Sequence, residues 1–131
     1  MQDNEPIKIG LAGYGTVGTG LVQILLNNRD WILRRLGREV RIKTILVRDL
    51  GKVRSSIPSP ETLFTDRIED LIEDPELDII VELIGGYDVA YRIITGALRS
   101  GKSVVTANKA LLAEHGPELF SLAASNNLGL S

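Results

Sequence analysis

Apolar runs bounded by glycine, proline and asparagine alternate along this chain with stretches whose apolar residues recur at helical spacing. Residues 7–12 are apolar except for Lys8 and lie between Pro6 and a glycine cluster, which predicts a buried strand. From Thr16 the period turns helical, with Val17, Leu21, Ile24 and Leu25 as the inward face. The helix is expected to run to Leu36, with a break at Asn27-Asn28 and Gly37 as its C-cap. Residues 40–47 alternate at first and become continuously apolar at Ile45-Leu46-Val47, a second strand. The polar, Gly/Ser/Pro-rich segment 48–60 reads as a loop.

Ile68, Leu71 and Ile72 share one side of a short helix over 66–74, with Thr65 or Asp66 as N-cap and Pro75 as stop. Residues 79–84 form the next buried strand, closed by Gly85-Gly86. Val89, Ile93, Ile94, Ala97 and Leu98 then mark an amphipathic helix ending at Gly101. Residues 103–107 are a strand again. Segments 109–115 and 117–125 are one helix interrupted at Gly116, or two short ones, and Leu128-Gly129-Leu130 opens a further strand. Strand and helix in alternation predict an α/β fold with a doubly wound parallel sheet.

Composition narrows the picture. With 131 residues, 44% hydrophobic and 24% charged, the whole of 1–131 is expected to be one domain around one core. Aromatic residues are only 5% of the chain, so Ile, Leu, Val and Ala must build that core, the usual material of a sheet covered on both faces. The absence of cysteine removes disulfides, thiolate zinc sites and a cysteine nucleophile, and fits a reducing, cytoplasmic setting. Fifteen Lys and Arg against seventeen Asp and Glu, scattered along the chain, argue against a nucleic-acid partner. No apolar run approaches the roughly 20 residues of a membrane helix. Residues 1–5 are polar and acidic where a signal peptide opens with positive charge, so a soluble, unprocessed chain is expected.

Gly13-Tyr14-Gly15-Thr16-Val17-Gly18 matches G-x-G-x-x-G, with a buried strand before it and an amphipathic helix after it. Gly13 allows the tight turn off the strand, Gly15 lets backbone approach a pyrophosphate, and Gly18 lets the helix pack on the sheet. The amides of Thr16 and Val17 are then free N–H groups at the positive end of a helix dipole. The pattern predicts a Rossmann-type fold binding NADP or NAD. The acidic residue that usually follows the second strand is displaced here, since Arg48 precedes Asp49. Arg48 suits the 2′-phosphate of NADP, Asp49 suits the 2′-hydroxyl of NAD, and both are also unremarkable as solvated loop residues. The order, with Lys52 and Arg54 close behind, favours NADP or dual use.

Ile84, Gly85 and Gly86 end one predicted strand, and Ala107, Asn108 and Lys109 end the next. In open α/β sheets ligands bind at strand carboxyl ends, so both loops should face the crevice of the glycine fingerprint. A Gly-Gly turn and a solvated lysine are the plain alternatives. The helix dipole mildly disfavours a lysine at a helix start, however, which an anionic or polar ligand there would explain.

The runs Val81-Glu82-Leu83-Ile84-Gly85-Gly86, Val105-Thr106-Ala107-Asn108-Lys109-Ala110-Leu111-Leu112 and His115-Gly116-Pro117-Glu118-Leu119, with the segment 97–104, resemble the cofactor domain of homoserine dehydrogenases. The likeness extends from Ile7 to the end of the chain, and its most specific part is Val105 to Lys109. The resemblance implies NAD(P)-dependent interconversion of homoserine and aspartate-4-semialdehyde on the way to threonine, isoleucine and methionine. It also implies that Lys109 is catalytic, beside the nicotinamide and the reacting hydroxyl, as an ammonium whose pKa a desolvated site can lower. A substrate domain carrying a second lysine is expected downstream of Ser131, so this chain alone should be inactive and the full-length enzyme a homo-oligomer.

The remaining polar residues read as structural. His115 is expected to cap a helix end before Gly116. Glu69, Asp70, Glu73 and Asp74 read as a solvated helix face, and no ligand-spaced cluster predicts a metal site. Two alternatives stay open: another amino-acid or semialdehyde dehydrogenase on the same nucleotide fold, and a stand-alone nucleotide-binding or redox-sensing module. A reading frame continuing past Ser131 would favour an enzyme over the module.

Overall fold

The computed structural model describes residues 5–52 and 57–131. It contains strands β1 (Ile7–Ala12), β2 (Val40–Leu46), β3 (Leu63–Thr65), β4 (Ile79–Glu82) and β5 (Ser103–Thr106). The helices are α1 (Thr16–Asn27), α2 (Arg29–Leu36), α3 (Glu69–Ile72), α4 (Asp88–Arg99) and α5 (Lys109–Ser125). The five strands form one sheet in the order β3-β2-β1-β4-β5, every pairing parallel. Leu130 bridges to Val104 in the same sense, so the segment after α5 begins a strand beside β5, as its sequence predicts. This is the doubly wound Rossmann arrangement, whose order reverses between β1 and β4.

Alternation along the strands divides the core in two. Ala12, Leu46, Ile80 and Val104 point to one face, where they pack with Leu71 and with Ala90, Ile93, Ile94, Ala97 and Leu98 of α4 and Leu111, Leu119 and Ala123 of α5. Ile9, Leu11, Ile42, Ile45, Val47 and Val81 point to the other, beneath Val22 of α1. One core was expected, but a sheet buried on both faces makes two.

Several boundaries differ from the sequence reading, each for a physical reason. The helix after the fingerprint does break at Asn28, and Gly37 closes α2 in the left-handed conformation with its N–H on Leu33 O. The inward face of α1 is Gly18 and Val22 with Leu21 and Leu25 partly covered, while Val17 and Ile24 are 64% and 60% exposed. β3, Leu63-Phe64-Thr65, is an edge strand too short for its pattern to register. Arg54, one of the basic residues weighed beside Arg48, lies outside the described residues.

α3 is a single turn, and Thr65 does not cap it directly. The Thr65 hydroxyl accepts from Arg67 N–H at 3.1 Å and donates to Asp70 inside α3 at 2.5 Å, and Ile68, not Thr65 or Asp66, stands at the N-cap. α5 runs unbroken through Gly116 and Pro117. Pro117 cannot donate to the helix ladder. Burial of Leu111, Gly116, Leu119 and Ala123 along one side holds the axis together across the lost bond.

The acidic set is only partly a solvated face. Glu69 pairs with Arg92 at 2.8 Å, and Asp74 joins Lys43 at 2.6 Å with both side chains largely shielded. Lys43 also reaches Glu76 at 3.1 Å, and Glu76 reaches Lys8 at 3.0 Å. This chain of charges clamps the α3–β4 turn to the amino end of β1 and the middle of β2. Burial alone would raise the Asp74 pKa, but the Lys43 ammonium and the Glu76 amide outweigh it and hold the carboxyl below its ordinary value. A lowered folded pKa contributes stability that is complete above the unfolded value and lost as pH falls through the folded one. Asp74→Asn is therefore expected to cost about 1 kcal/mol at pH 7 and progressively less as the pH falls below the ordinary carboxylate range, read from urea unfolding across that interval.

Candidate functional site in the carboxyl-edge crevice

Backbone hydrogen bonds carry the sheet one step past its strands. Val47 N–H donates to Thr65 O at 2.7 Å, Gly13 N–H to Leu46 O at 3.0 Å, Leu83 N–H to Ala12 O at 2.8 Å, and Ala107 N–H to Glu82 O at 3.1 Å. Each loop residue is thus pinned to the neighbouring strand. The sequence-predicted residues fall along one edge in the order Arg48, the fingerprint, Ile84 to Gly86, then Ala107 to Lys109.

The fingerprint turn is built as its three glycines require. Gly13 has φ +105°, outside the range of most side chains. A Cβ on Gly18 would stand 2.6 Å from the Gly13 carbonyl oxygen, so the helix approaches the turn closely only because Gly18 has none. Gly15 differs from both: its φ is −87°, and nothing lies within 4 Å of where its Cβ would be. It is the N-cap of α1 and offers no side-chain cap, and the first turn holds no acidic residue. Thr19 N–H is the first amide of the helix to reach a carbonyl, that of Gly15, at 2.9 Å. The amides of Thr16, Val17 and Gly18 precede it at the positive end of the dipole, where an anion is favoured.

At the end of β2, Val47 is buried and Arg48 exposed, with no ion pair to Arg48 among the described residues. The Asp49 carboxylate is engaged in its own turn, accepting from Gly51 N–H at 2.9 Å.

At the other end of the crevice, Gly85 and Gly86 both adopt positive φ, +77° and +75°, which reverses the chain tightly above β4. Asn108 joins this turn to the next loop. Its side-chain amide donates to Gly86 O at 2.6 Å while its oxygen caps α5 by accepting from Leu111 N–H at 3.1 Å. Lys109 opens α5 and is exposed.

Sequence reading missed the residue beneath these loops. Glu82, the last of β4, is fully buried, and its carboxylate accepts from the amides of Ile84 at 2.9 Å and Gly85 at 3.1 Å and from the Thr106 hydroxyl at 2.5 Å. Thr106 in turn accepts from Asn108 N–H at 3.0 Å. The available signal was a lone acidic residue inside the apolar run 79–84, which only a buried polar partner network explains.

His115 is not a helix cap, because α5 continues past it. It meets the Tyr87 hydroxyl through Nε2, lies against the Tyr91 ring at 4.9 Å, and has Glu118 at 3.4 Å from Nδ1. The Tyr91 hydroxyl, with help from His115, holds Glu118 below the usual carboxylate range. This cluster fastens the start of α4 to α5. A groove of 510 Å³ lined by Val22, Leu25, Arg29, Arg41 and Lys43 lies by the amino ends of the strands, away from the crevice. Among the described residues no group of three His, Cys, Asp or Glu could hold a metal, and no helix is long and apolar enough to cross a membrane.

The family model described as homoserine dehydrogenase, NAD binding domain, matches residues 13–130. The homoserine dehydrogenase of Bacillus subtilis is 42% identical over 122 residues, which are 93% of this chain and 28% of that protein. That of Neisseria gonorrhoeae is 41% identical over 124 residues, 95% of this chain and 28% of the relative. The crystal structure of a homoserine dehydrogenase from Thiobacillus denitrificans superposes with a TM-score of 0.90 at 40% identity, over 98% of this chain and 30% of that one. An S. aureus homoserine dehydrogenase at pH 8.5 gives 0.89 at 39%, over 98% and 32%. The chain therefore spans less than a third of these relatives.

The two glycines at 15 and 18 should separate in their effect on the fold. Gly18→Ala is expected to destabilise by about 1–3 kcal/mol, since its methyl meets backbone that cannot retreat. Gly15→Ala should stay within about 0.5 kcal/mol of the parent, its cap loss offset by reduced unfolded-state entropy. Thermal and urea unfolding of the two variants checks both values.

Proposed function

The chain belongs to the homoserine dehydrogenase NAD-binding domain family, and on that premise we propose that its carboxyl-edge crevice holds NAD(P) as the cofactor half of an enzyme interconverting homoserine and aspartate-4-semialdehyde. The observation that carries this reading is Gly15. Its φ is one any residue adopts and its Cβ position is empty, so nothing inside the domain calls for glycine there. Close approach of a ligand does. A pyrophosphate on the amides of Thr16, Val17 and Gly18 fits a helix start that has neither a side-chain cap nor an acidic first turn.

The rest of the edge then divides by strand order. Beyond β1 on the β2 side lies Arg48, where the adenosine ribose belongs. On the other side lie Ile84, Gly85, Gly86, Ala107, Asn108 and Lys109, where the nicotinamide belongs. Bound there, the cofactor supplies the hydride acceptor or donor. The chain's part is to hold it: first-turn amides on the phosphates, backbone of the two glycines close against the ring, and Asn108 fixing the gap between the loops. Lys109 Nζ is the group that takes and returns the hydroxyl proton as the alcohol and aldehyde interchange. Substrate carboxylate contacts, a second acid–base lysine and subunit contacts belong to the remaining two thirds of the relatives' length. The working enzyme is read as a cytoplasmic homo-oligomer in amino-acid biosynthesis.

Arg48 decides between cofactors. An arginine without an ion pair among the described residues, beside an aspartate turned onto its own loop, favours the 2′-phosphate of NADP over the bare hydroxyl of NAD.

Titration calorimetry of the purified domain should show NADP+ and NAD+ binding, abolished in Gly15→Val with circular dichroism unchanged. Unaltered affinity in that variant would remove the pyrophosphate from this loop. Arg48→Ala should weaken NADP+ by about tenfold or more and NAD+ little, from loss of a charge-assisted hydrogen bond. Equal losses would make Arg48 a solvated loop residue.

The 131-residue chain should not oxidise homoserine. In the complete enzyme Lys109→Met, which keeps length without charge, should lower kcat by about 10²–10⁴-fold. Near-normal turnover at saturating substrates would assign Lys109 a structural role at the helix start.

A further inference from the structure

We propose that Glu82 is the positioning residue for the nicotinamide end of the crevice, fixing the 84–86 turn against the 106–109 segment and so governing the grip on one half of the dinucleotide. The inference rests on the NAD(P) reading above and adds to it a residue that never touches the ligand.

The geometry is a closed ring. Glu82 Oε2 accepts from Ile84 N–H and Gly85 N–H, so the carboxylate sits inside the turn and sets its curvature. Glu82 Oε1 accepts from the Thr106 hydroxyl, on the neighbouring strand. Thr106 Oγ1 accepts from Asn108 N–H, and the Asn108 side chain donates to Gly86 O, which returns to the turn. Every link crosses between the β4 and β5 loops or tightens one of them. None of these hydrogen bonds reaches the fingerprint or Arg48, although Ile84 itself packs beside Gly13.

A fully buried carboxylate is costly, and here none of the salt bridges among the described residues relieves it. All three of its partners are neutral donors. Packing alone would be met by an apolar residue, as it is at Ile80 and Val81 on the same strand. What an apolar residue cannot do is hold two consecutive amides of a double-glycine turn, whose backbone has no side chains of its own to restrain it. Removing the carboxylate leaves those amides free to turn away and the gap between loops free to change.

The test compares two probes on the purified domain by calorimetry: ADP bearing the 2′-phosphate, which is the complete adenosine half of NADP+, and NADP+, which adds only the nicotinamide and its ribose. Glu82→Leu removes the acceptor of both amides and of the Thr106 hydroxyl, and Thr106→Val removes the link to Glu82 together with the acceptor of Asn108 N–H. Each is expected to weaken NADP+ by about tenfold while the ADP probe stays within about twofold, and Thr106→Ser, which restores the hydroxyl, should return NADP+ to near the parent value. Should Glu82→Leu fail to fold, the threonine pair carries the comparison alone. Equal weakening of both probes, unchanged NADP+ in the variants, or a serine variant as weak as valine overturns the positioning role. Parent domain that binds neither probe overturns the NAD(P) reading itself, and the inference with it.

Discussion

Everything at the crevice depends on a row of backbone hydrogen bonds that outlasts the strands. In a parallel sheet each strand's final carbonyl still faces a neighbour, and here those carbonyls take the amides of Val47, Gly13, Leu83 and Ala107. The residues that begin the loops are therefore placed with the precision of the sheet itself, although the loops are otherwise exposed. That is why residues far apart in sequence, such as Arg48 and Asn108, lie in fixed order along one edge. Loops pinned only by their own side chains would not hold that alignment.

The edge uses two different physical devices at its two ends. Around α1 the working groups are backbone amides, and the side chains matter by being absent. Beneath the 84–86 turn the working group is a charged side chain kept out of water and satisfied by amides and a hydroxyl. The first device is cheap and, for a pyrophosphate held there as proposed, indifferent to what lies beyond it. The second is costly and shapes a particular wall, which suits the end where the chemistry is read to occur.

Most of the architecture was legible because both signals were strong. Apolar runs buried on both faces stand out against polar helices, and the glycine fingerprint lies where strand meets helix. The break at Asn28 and the cap at Gly37 were equally readable, being local backbone chemistry. What failed needed tertiary knowledge. β3 is three residues long and paired on one side, so its pattern is too short to read. Gly116 and Pro117 look like a break until the burial of α5 along one side outweighs them. His115, placed at a helix end by that supposed break, lies mid-way along α5 for the same reason. Along the site, every predicted residue lies on the carboxyl edge, but Glu82 passed unread: its place in the apolar run 79–84 hinted at burial, while its partners, the 84–85 amides and Thr106, are set by tertiary structure.

The strand order also has a consequence for how the chain acquires its shape. β1 lies between β2 and β4, and its second partner is distant: Lys8 N–H meets the Asp78 side chain across 70 positions. During synthesis β1, β2 and β3 can assemble while the far edge of β1 is still bare. That edge is Ile9, Gly10 and Leu11, apolar and able to pair with any passing strand until Ile79 to Val81 arrive. Long-range parallel pairing of this kind is slow. The strand that leads into the fingerprint, whose Ala12 carbonyl takes the Leu83 amide, is therefore completed only once β4 has joined the sheet, and until then it presents an apolar edge open to aggregation.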